Sequence, residues 1–327
     1  MDMSRFYFGM ALVLLNIFTV RAADNSQAEM LAGQRIMVLG DSVTQQGDYL
    51  DFIEYYLRKQ ISGKEFDIIN IGLSGETVSG LSEEAHPFKR PCLHERLTRA
   101  FAKIKPSIVV ACYGMNDGIY HPESEERSEA FREGIKKIIW KTRQNKARLI
   151  LLTPPVFDAK KFTGRLLARE SSGFGYNKPY IGYDLVLQSF SHWIMLLDDP
   201  NLVTIDIHQP MVDYLRVARE KDPQAGISKD GVHPDKVGHL IMADTFLKSF
   251  GMDTGVESLA RQLKLIEDDP MYELIVKRNR VRSKGWLEYV GYTAARVVQT
   301  DSIEKTVHES SQMEFRIDQF QGIGPAQ

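Results

Sequence analysis

The chain has 327 residues, of which 26% are charged and 43% hydrophobic, with a formal net charge of −2. That length buries a sizeable core, and that balance belongs to a globular chain rather than a disordered one. A slightly acidic surface excludes the basic field that holds nucleic acid, and two cysteines are too few for a disulfide scaffold.

The first 22 residues stand apart. Arg5 and the amino terminus precede an apolar run from Phe6 to Val20, and Val20-Arg21-Ala22 puts small residues where a signal peptidase cuts. A secretory signal peptide over 1–22 is expected, cleaved after Ala22 or Ala23. The apolar run is shorter than the ~20 residues that an uncleaved anchor needs to cross a bilayer. The expected destination is outside the cell or a periplasm, with no stable membrane insertion of the mature chain.

From residue 34 short apolar runs alternate with helical patterns. The runs predict strands over 35–39, 66–71, 107–112, 148–153 and 202–207, and the periodic stretches predict helices over 47–60, 91–104, 124–146, 180–198 and 235–250. Crossovers that each contain a helix imply a parallel sheet with helices on both faces, an α/β three-layer, doubly wound domain spanning 34–250. Residues 154–179 read as a long loop carrying Phe157, Phe162, Phe174 and Tyr176, and loops of that length are functional or disordered. Residues 251–299 read as a helical C-terminal extension, and the polar stretch 300–327 as a mobile tail. Cys92 and Cys112 are both placed near the same sheet edge. A bridge between them is feasible if their Cα atoms come within about 7 Å, with two buried free thiols as the alternative.

Four blocks lie where ligands bind such sheets, beyond the carboxyl ends of the strands. They are Gly40-Asp41-Ser42, Ser74-Gly75-Glu76-Thr77, Gly114-Met115-Asn116-Asp117 and Asp230-Gly231-Val232-His233-Pro234. Ser42 follows the first strand and opens a helix. Alone, it fits a helix N-cap as well as a nucleophile, because a serine hydroxyl attacks only when a base takes its proton. His233 supplies a base, and Asp230, three residues earlier, can orient one imidazole nitrogen and leave the other for Ser42. Gly75 can bring a backbone N–H close because it has no Cβ, and Asn116 can add a side-chain amide. With the N–H of Ser42 these would form an oxyanion hole. Each block alone also reads as an ordinary turn.

Together the blocks resemble those of the SGNH (GDSL) hydrolase superfamily across about residues 34–250. The resemblance implies a flavodoxin-like sheet. It also implies Ser42, Asp230 and His233 as catalytic residues, Ser42, Gly75 and Asn116 as oxyanion donors, and neither metal nor cofactor. The α/β-hydrolase elbow G-x-S-x-G does not fit, because Thr44 stands where its second glycine belongs.

The expected function is a secreted serine esterase acting on small acyl groups, O-acetyl first, on carbohydrate. A lipase, lysophospholipase or thioesterase is the alternative within the superfamily, and a non-catalytic carbohydrate-binding protein the alternative outside it. Asp41 reads as a loop acceptor and Asp117 as support for Asn116. His86, Arg90, Tyr113, Tyr120 and His121 read as solvated loop residues rather than pocket lining, and Trp286, Tyr289 and Tyr292 as packing of a terminal helix. His94, His192, His208 and His239 show no metal-ligand spacing.

Overall fold

A computed structural model describes residues 26–61, 63–255, 258–293 and 300–321; the expected signal peptide lies outside them. Five strands form one parallel sheet: β1 (Arg35–Gly40), β2 (Asp67–Asn70), β3 (Ile108–Cys112), β4 (Arg148–Leu152) and β5 (Leu202–Ile205). Their order is β2-β1-β3-β4-β5, so the chain starts inside the sheet and winds first to one edge and then to the other. This is the three-layer α/β/α architecture that the alternating pattern predicts.

The strands alternate sides with a period of two. Ile36, Val38, Ile68, Ile108, Val110, Ile150 and Leu152 join the core on one face. Met37, Leu39, Ile69, Val109, Ala111, Leu149 and Leu151 join the core on the other. Both faces are buried, which is why the strands read as unbroken apolar runs. A short α1 (Ser26–Glu29) precedes the sheet, and α2 (Ser42–Gln46) follows β1 directly. The first face is covered by α3 (Asp48–Gln60) and, later in the chain, by two further helices. The second face is covered by α4 (Leu97–Ile104), α5 (Glu125–Gln144) and α6 (Tyr183–Met195). In α5, Phe131, Ile135 and Ile138 make the inward stripe at i, i+4 and i+7.

The helix α7 (His208–Lys221) was not expected. Its inward stripe is thin, with only His208, Met211 and Leu215 buried, and Pro210 sits in its first turn, where proline is tolerated. Consequently Asp230 and His233 do not follow β5 directly. They lie between α7 and α8 (Lys236–Ser249), both of which pack on the first face.

Cys92 and Cys112 are free. Cys112 points into the first-face core, where its thiol donates to the Thr153 carbonyl at 3.7 Å. Leu93, next to Cys92, belongs to the opposite core. The Cys92 thiol instead lies beside Gly80, where a Cβ would come 3.6 Å from its Sγ.

Residues 154–179 are ordered. Val156, Phe157, Leu167 and Phe174 are buried, and the Phe157 N–H donates to Asp184 at 2.7 Å. The described part of the polar tail is helical. After α9 (Leu259–Glu267) and α10 (Pro270–Val290), residues Ile303–Phe320 form α11. Its Glu314 pairs with both Arg58 of α3 and Arg278 of α10, and these two arginines share Glu54. Glu54, Arg58 and Arg278 are essentially inaccessible. Buried charges are tolerated only when paired in this way, and composition alone does not reveal such pairing. Gly285 permits the α10–α11 crossing, since a Cβ there would lie 2.1 Å from Thr306 Oγ1. Through Met271, Ile275, Leu287 and Val290, α10 contributes to both cores. It runs past β2 and covers an edge whose free backbone groups would otherwise be open to pairing. No helix among the described residues is long and apolar enough to cross a membrane.

Candidate active site

β1 ends at Gly40, which has no room for a side chain: a Cβ would lie 2.1 Å from Thr44 Oγ1 and 2.9 Å from the Cys112 carbonyl. The chain turns there, and the Asp41 carboxylate caps α2 by accepting from Val43 N–H at 3.0 Å. Because Asp41 does the capping, the hydroxyl of Ser42 is left free to project from the first residue of the helix. Burial pushes the Asp41 carboxyl up to about 7, with the Asp117 charge adding to the shift and the Val43 N–H opposing it.

The loop before α8 meets Ser42 from the far end of the sequence. Asp230 Oδ1 accepts from the N–H groups of Val232 at 2.9 Å and His233 at 2.8 Å, which curls the loop. Its Oδ2 lies 2.7 Å from His233 Nδ1, and His233 Nε2 lies 2.9 Å from Ser42 Oγ. An ionised carboxylate only accepts, so Nδ1 carries the proton and Nε2 is left to accept from the Ser42 hydroxyl. Gly231 makes the turn possible. Its φ is +79°, and a Cβ would lie 2.6 Å from the Asp158 carbonyl and 2.9 Å from Phe162 N. Asp158 N–H donates to Gly231 O at 2.8 Å, so the long loop after β4 is the wall against which the histidine loop is set.

The electrostatics match this geometry. Burial raises the Asp230 carboxyl, but its bonds to the His233 ring and to two backbone N–H groups outweigh that and hold it well below the usual carboxylate range. The hydrogen bond to Asp230 raises His233, burial opposes it, and the charges of Asp230 and Asp41 add to the rise. A cleft of about 550 Å³ bordered by Gln46, Asp48, Lys236 and His233 gives solvent a route to the imidazole.

Gly75 and Asn116 come from the loops after β2 and β3. Gly75 has φ +76°, a conformation that favours glycine. Its carbonyl accepts from Arg90 Nη1 at 3.2 Å, and its N–H has no acceptor among the described residues. Asn116 Nδ2 donates to Glu76 O at 3.4 Å, and Tyr120 Oη donates to Asn116 Oδ1 at 3.2 Å. Asp117 stitches the two loops together, its Oδ1 accepting from Val78 and Ser79 N–H, each at 2.8 Å. Burial pushes the Asp117 carboxyl up to about 6, and these bonds oppose the shift. Glu76 anchors the other side, taking two 2.6 Å bonds from Arg96 and one from Tyr113 Oη. All five residues expected at the site thus lie at one rim of the sheet, on elements that share bonds.

Several flanking residues differ from expectation. Arg90, Tyr113 and Tyr120 are buried rather than solvated, because each polar head has a partner. Arg90 forms a fork on Glu83 at 2.6 and 2.7 Å. His86 and His121 are half-buried, and the His86 ring packs edge-on against Phe88 and Tyr176. Trp286 and Tyr289 pack against one another on α10, with Lys103 over the Tyr289 ring. His94 bonds the Val78 carbonyl, and burial pushes His239, stacked on Tyr49, down to about 4. No group of three or more His, Cys, Asp or Glu residues among those described could hold a metal ion. Sequence reasoning did not single out Glu76, Glu83, Arg96 or Asp158. A charged residue in a loop carries no mark of burial until its partner is known.

Fold and site together supply the parts that ester hydrolysis by a serine nucleophile needs. The chain belongs to the GDSL-like lipase/acylhydrolase family, whose model matches residues 38–241. Among solved structures, a gut microbial diltiazem-metabolizing enzyme is similar at 22% identity and a TM-score of 0.51, covering 67% of this chain and 47% of that one. The present chain thus spans about half the length of that relative and shares its fold. Axe2, an acetylxylan esterase from Geobacillus stearothermophilus, is similar at 19% identity and a TM-score of 0.47 over 69% of this chain and 97% of that one. The acetyl xylan esterase AlAXEase gives 19% and 0.45 over 66% and 98%. No curated protein matches.

Proposed function

We propose that this esterase removes small acyl groups, O-acetyl first, from carbohydrate by way of an acyl-enzyme on Ser42. The observation that carries the proposal is the continuous relay Asp230–His233–Ser42, with contacts of 2.7 and 2.9 Å. Neutral His233 takes the hydroxyl proton at Nε2 as Ser42 Oγ attacks the ester carbonyl. Asp230 stabilises the imidazolium that forms. The N–H of Ser42, the N–H of Gly75 and Nδ2 of Asn116 face the oxygen that gains charge. The tetrahedral intermediate collapses, His233 returns the proton to the departing alkoxide, and the alcohol leaves. Water, deprotonated by the same imidazole, attacks the acyl-enzyme in turn. The acid is released, and Ser42 recovers its proton.

The rim favours a sugar as the alcohol portion. Phe88 and Tyr176 are 36% and 40% exposed and converge on His86 from two loops, with ring centroids 4.5 and 5.1 Å away. Tyr176 N–H donates to Glu83, which holds Arg90 and through it the Gly75 carbonyl. Aromatic surface on the loops that hold Gly75 suits the C–H face of a sugar ring, which is apolar on one side and hydroxylated around its edge. Export, as expected from residues 1–22, would bring the enzyme to extracellular glycan.

The test is a panel of acetylated oligosaccharides beside p-nitrophenyl esters of rising chain length. Acetate is expected to be the preferred acyl group. The double variant Phe88→Ala/Tyr176→Ala is expected to raise KM for the oligosaccharide about tenfold, equivalent to about 1.4 kcal/mol of binding, while p-nitrophenyl acetate hydrolysis stays within twofold. Preference for long acyl chains, or equal effects on both substrates, would overturn the carbohydrate assignment.

A further inference from the structure

We infer that Arg90 is a positioning residue that locks the two loop-borne oxyanion donors, Gly75 and Asn116, into one rigid unit. The inference rests on the hydrolytic reading above and adds to it a residue outside the relay and outside the donor set.

Three contacts carry it. Arg90 Nη1 donates to the Gly75 carbonyl at 3.2 Å, and a Cβ on Gly75 would lie only 3.5 Å from the same nitrogen. Gly75 is in the left-handed region and has no side chain to brace it, so the grip on its carbonyl fixes the Gly75–Glu76 peptide, the plane that adjoins the one carrying its N–H. The Nε and Nη2 edge of the same guanidinium is fixed by the Glu83 carboxylate, and both residues are almost wholly buried. The guanidinium carbon lies over the Tyr120 ring, 5.6 Å from its centroid, within cation–π range.

Tyr120 carries the link to the other donor. Its hydroxyl donates to Asn116 Oδ1, while Asn116 Nδ2 donates to the Glu76 carbonyl. A carbonyl only accepts, so Nδ2 must be the atom on the Glu76 side, which settles the amide orientation. One Nδ2 proton is spent on Glu76, and the second is the one left for the oxyanion. Tyr120 itself has φ +61°, follows Ile119 at +46°, and is stacked 4.9 Å from Tyr183. A tyrosine in the left-handed region persists only where its surroundings hold it, and Arg90 is one face of that enclosure. The planar fork is essential, because a lysine ammonium can meet Glu83 or Gly75 but cannot span both and cover the ring.

The test compares kcat and KM for p-nitrophenyl acetate in wild type, Arg90→Ala, Arg90→Lys, Tyr120→Phe and Arg90→Ala/Tyr120→Phe, with thermal unfolding followed in parallel. Losing one oxyanion donor lowers kcat by about 10²–10³, so Arg90→Ala is expected to lower kcat about 100-fold with KM within threefold. Arg90→Lys should fail to restore it. Millimolar guanidinium should raise kcat of Arg90→Ala and leave wild type unchanged. The double variant should lose less than the product of the single losses, because both act on one hole. The acid limb of the pH profile should stay in place, since His233 takes its shift from Asp230, burial and Asp41. Wild-type kcat in folded Arg90→Ala would overturn the inference. So would full activity in Arg90→Lys, or a loss confined to KM. If Arg90→Ala does not fold, Arg90→Lys and Tyr120→Phe decide by the same readouts. Wild type inactive on every ester would instead defeat the hydrolytic reading. An active wild type, an inactive Ser42→Ala and an unimpaired Arg90→Ala would defeat only the positioning role.

Discussion

Ser42→Ala is expected to lower kcat for ester hydrolysis by about six orders of magnitude, the loss seen when a nucleophile that acts as a unit with its base is removed. The reason is specific to this turn. Among the described residues the side-chain partner of the Ser42 hydroxyl is His233 Nε2, the group placed to take its proton. What remains is the oxyanion hole and binding, which together supply about 10³–10⁴ over water. KM should change little and the protein should stay folded, because the cap of α2 is Asp41 and not Ser42. This separates the chemistry from the plainer reading that a serine at a helix start suggests. A capping serine changed to alanine costs about 1 kcal/mol of stability and no activity. Stopped assays with p-nitrophenyl acetate, alongside thermal unfolding, distinguish the two.

Asp230→Asn is expected to have the second largest effect, a fall in kcat of about 10⁴, and to carry a signature in pH. In the wild type, the bond to Asp230 raises His233 above its ordinary 6.5. The neutral imidazole is the base, so kcat/KM should fall as pH drops through a pKa that lies above 6.5. Asparagine keeps a carbonyl that can accept from Val232 and His233 N–H, so the loop survives. Its amide nitrogen can no longer accept from Nδ1–H, however, and the charge that favoured imidazolium is gone. The residual activity should therefore show its acid limb at lower pH. A limb that stays in place in Asp230→Asn, or wild-type activity independent of pH between 5 and 8, would contradict the role given to this pair.

The doubly wound sheet and the placement of the five candidate residues beyond its strand ends were legible because they rest on signals carried by the residues themselves. Strands such as Arg35–Gly40 and Ile108–Cys112 are buried on both faces, which leaves continuous apolar runs. Gly40, Gly75 and Gly231 mark close approaches or positive φ, and each lies in a block that also holds or adjoins a site residue. What was not legible depends on partners distant in sequence. Arg90 reads as a solvated arginine until Glu83, Gly75 and Tyr120 are placed around it. The segment over α11 reads as a polar tail until Glu314 is set between Arg58 and Arg278. The helix α7 escaped notice because a thin stripe of three residues gives little periodicity. For Arg90 and α11 the local pattern was overridden by a tertiary contact that composition cannot encode.

The central claim is that His233 activates Ser42 as a covalent nucleophile. A fluorophosphonate tests it most directly, since displacement of fluoride leaves phosphorus bonded to the attacking oxygen, and peptide mass spectrometry then locates the adduct. A single adduct on Ser42 is predicted, with labelling slowed by orders of magnitude in His233→Ala. An adduct on another residue, or labelling of Ser42 at the wild-type rate in His233→Ala, would contradict the account.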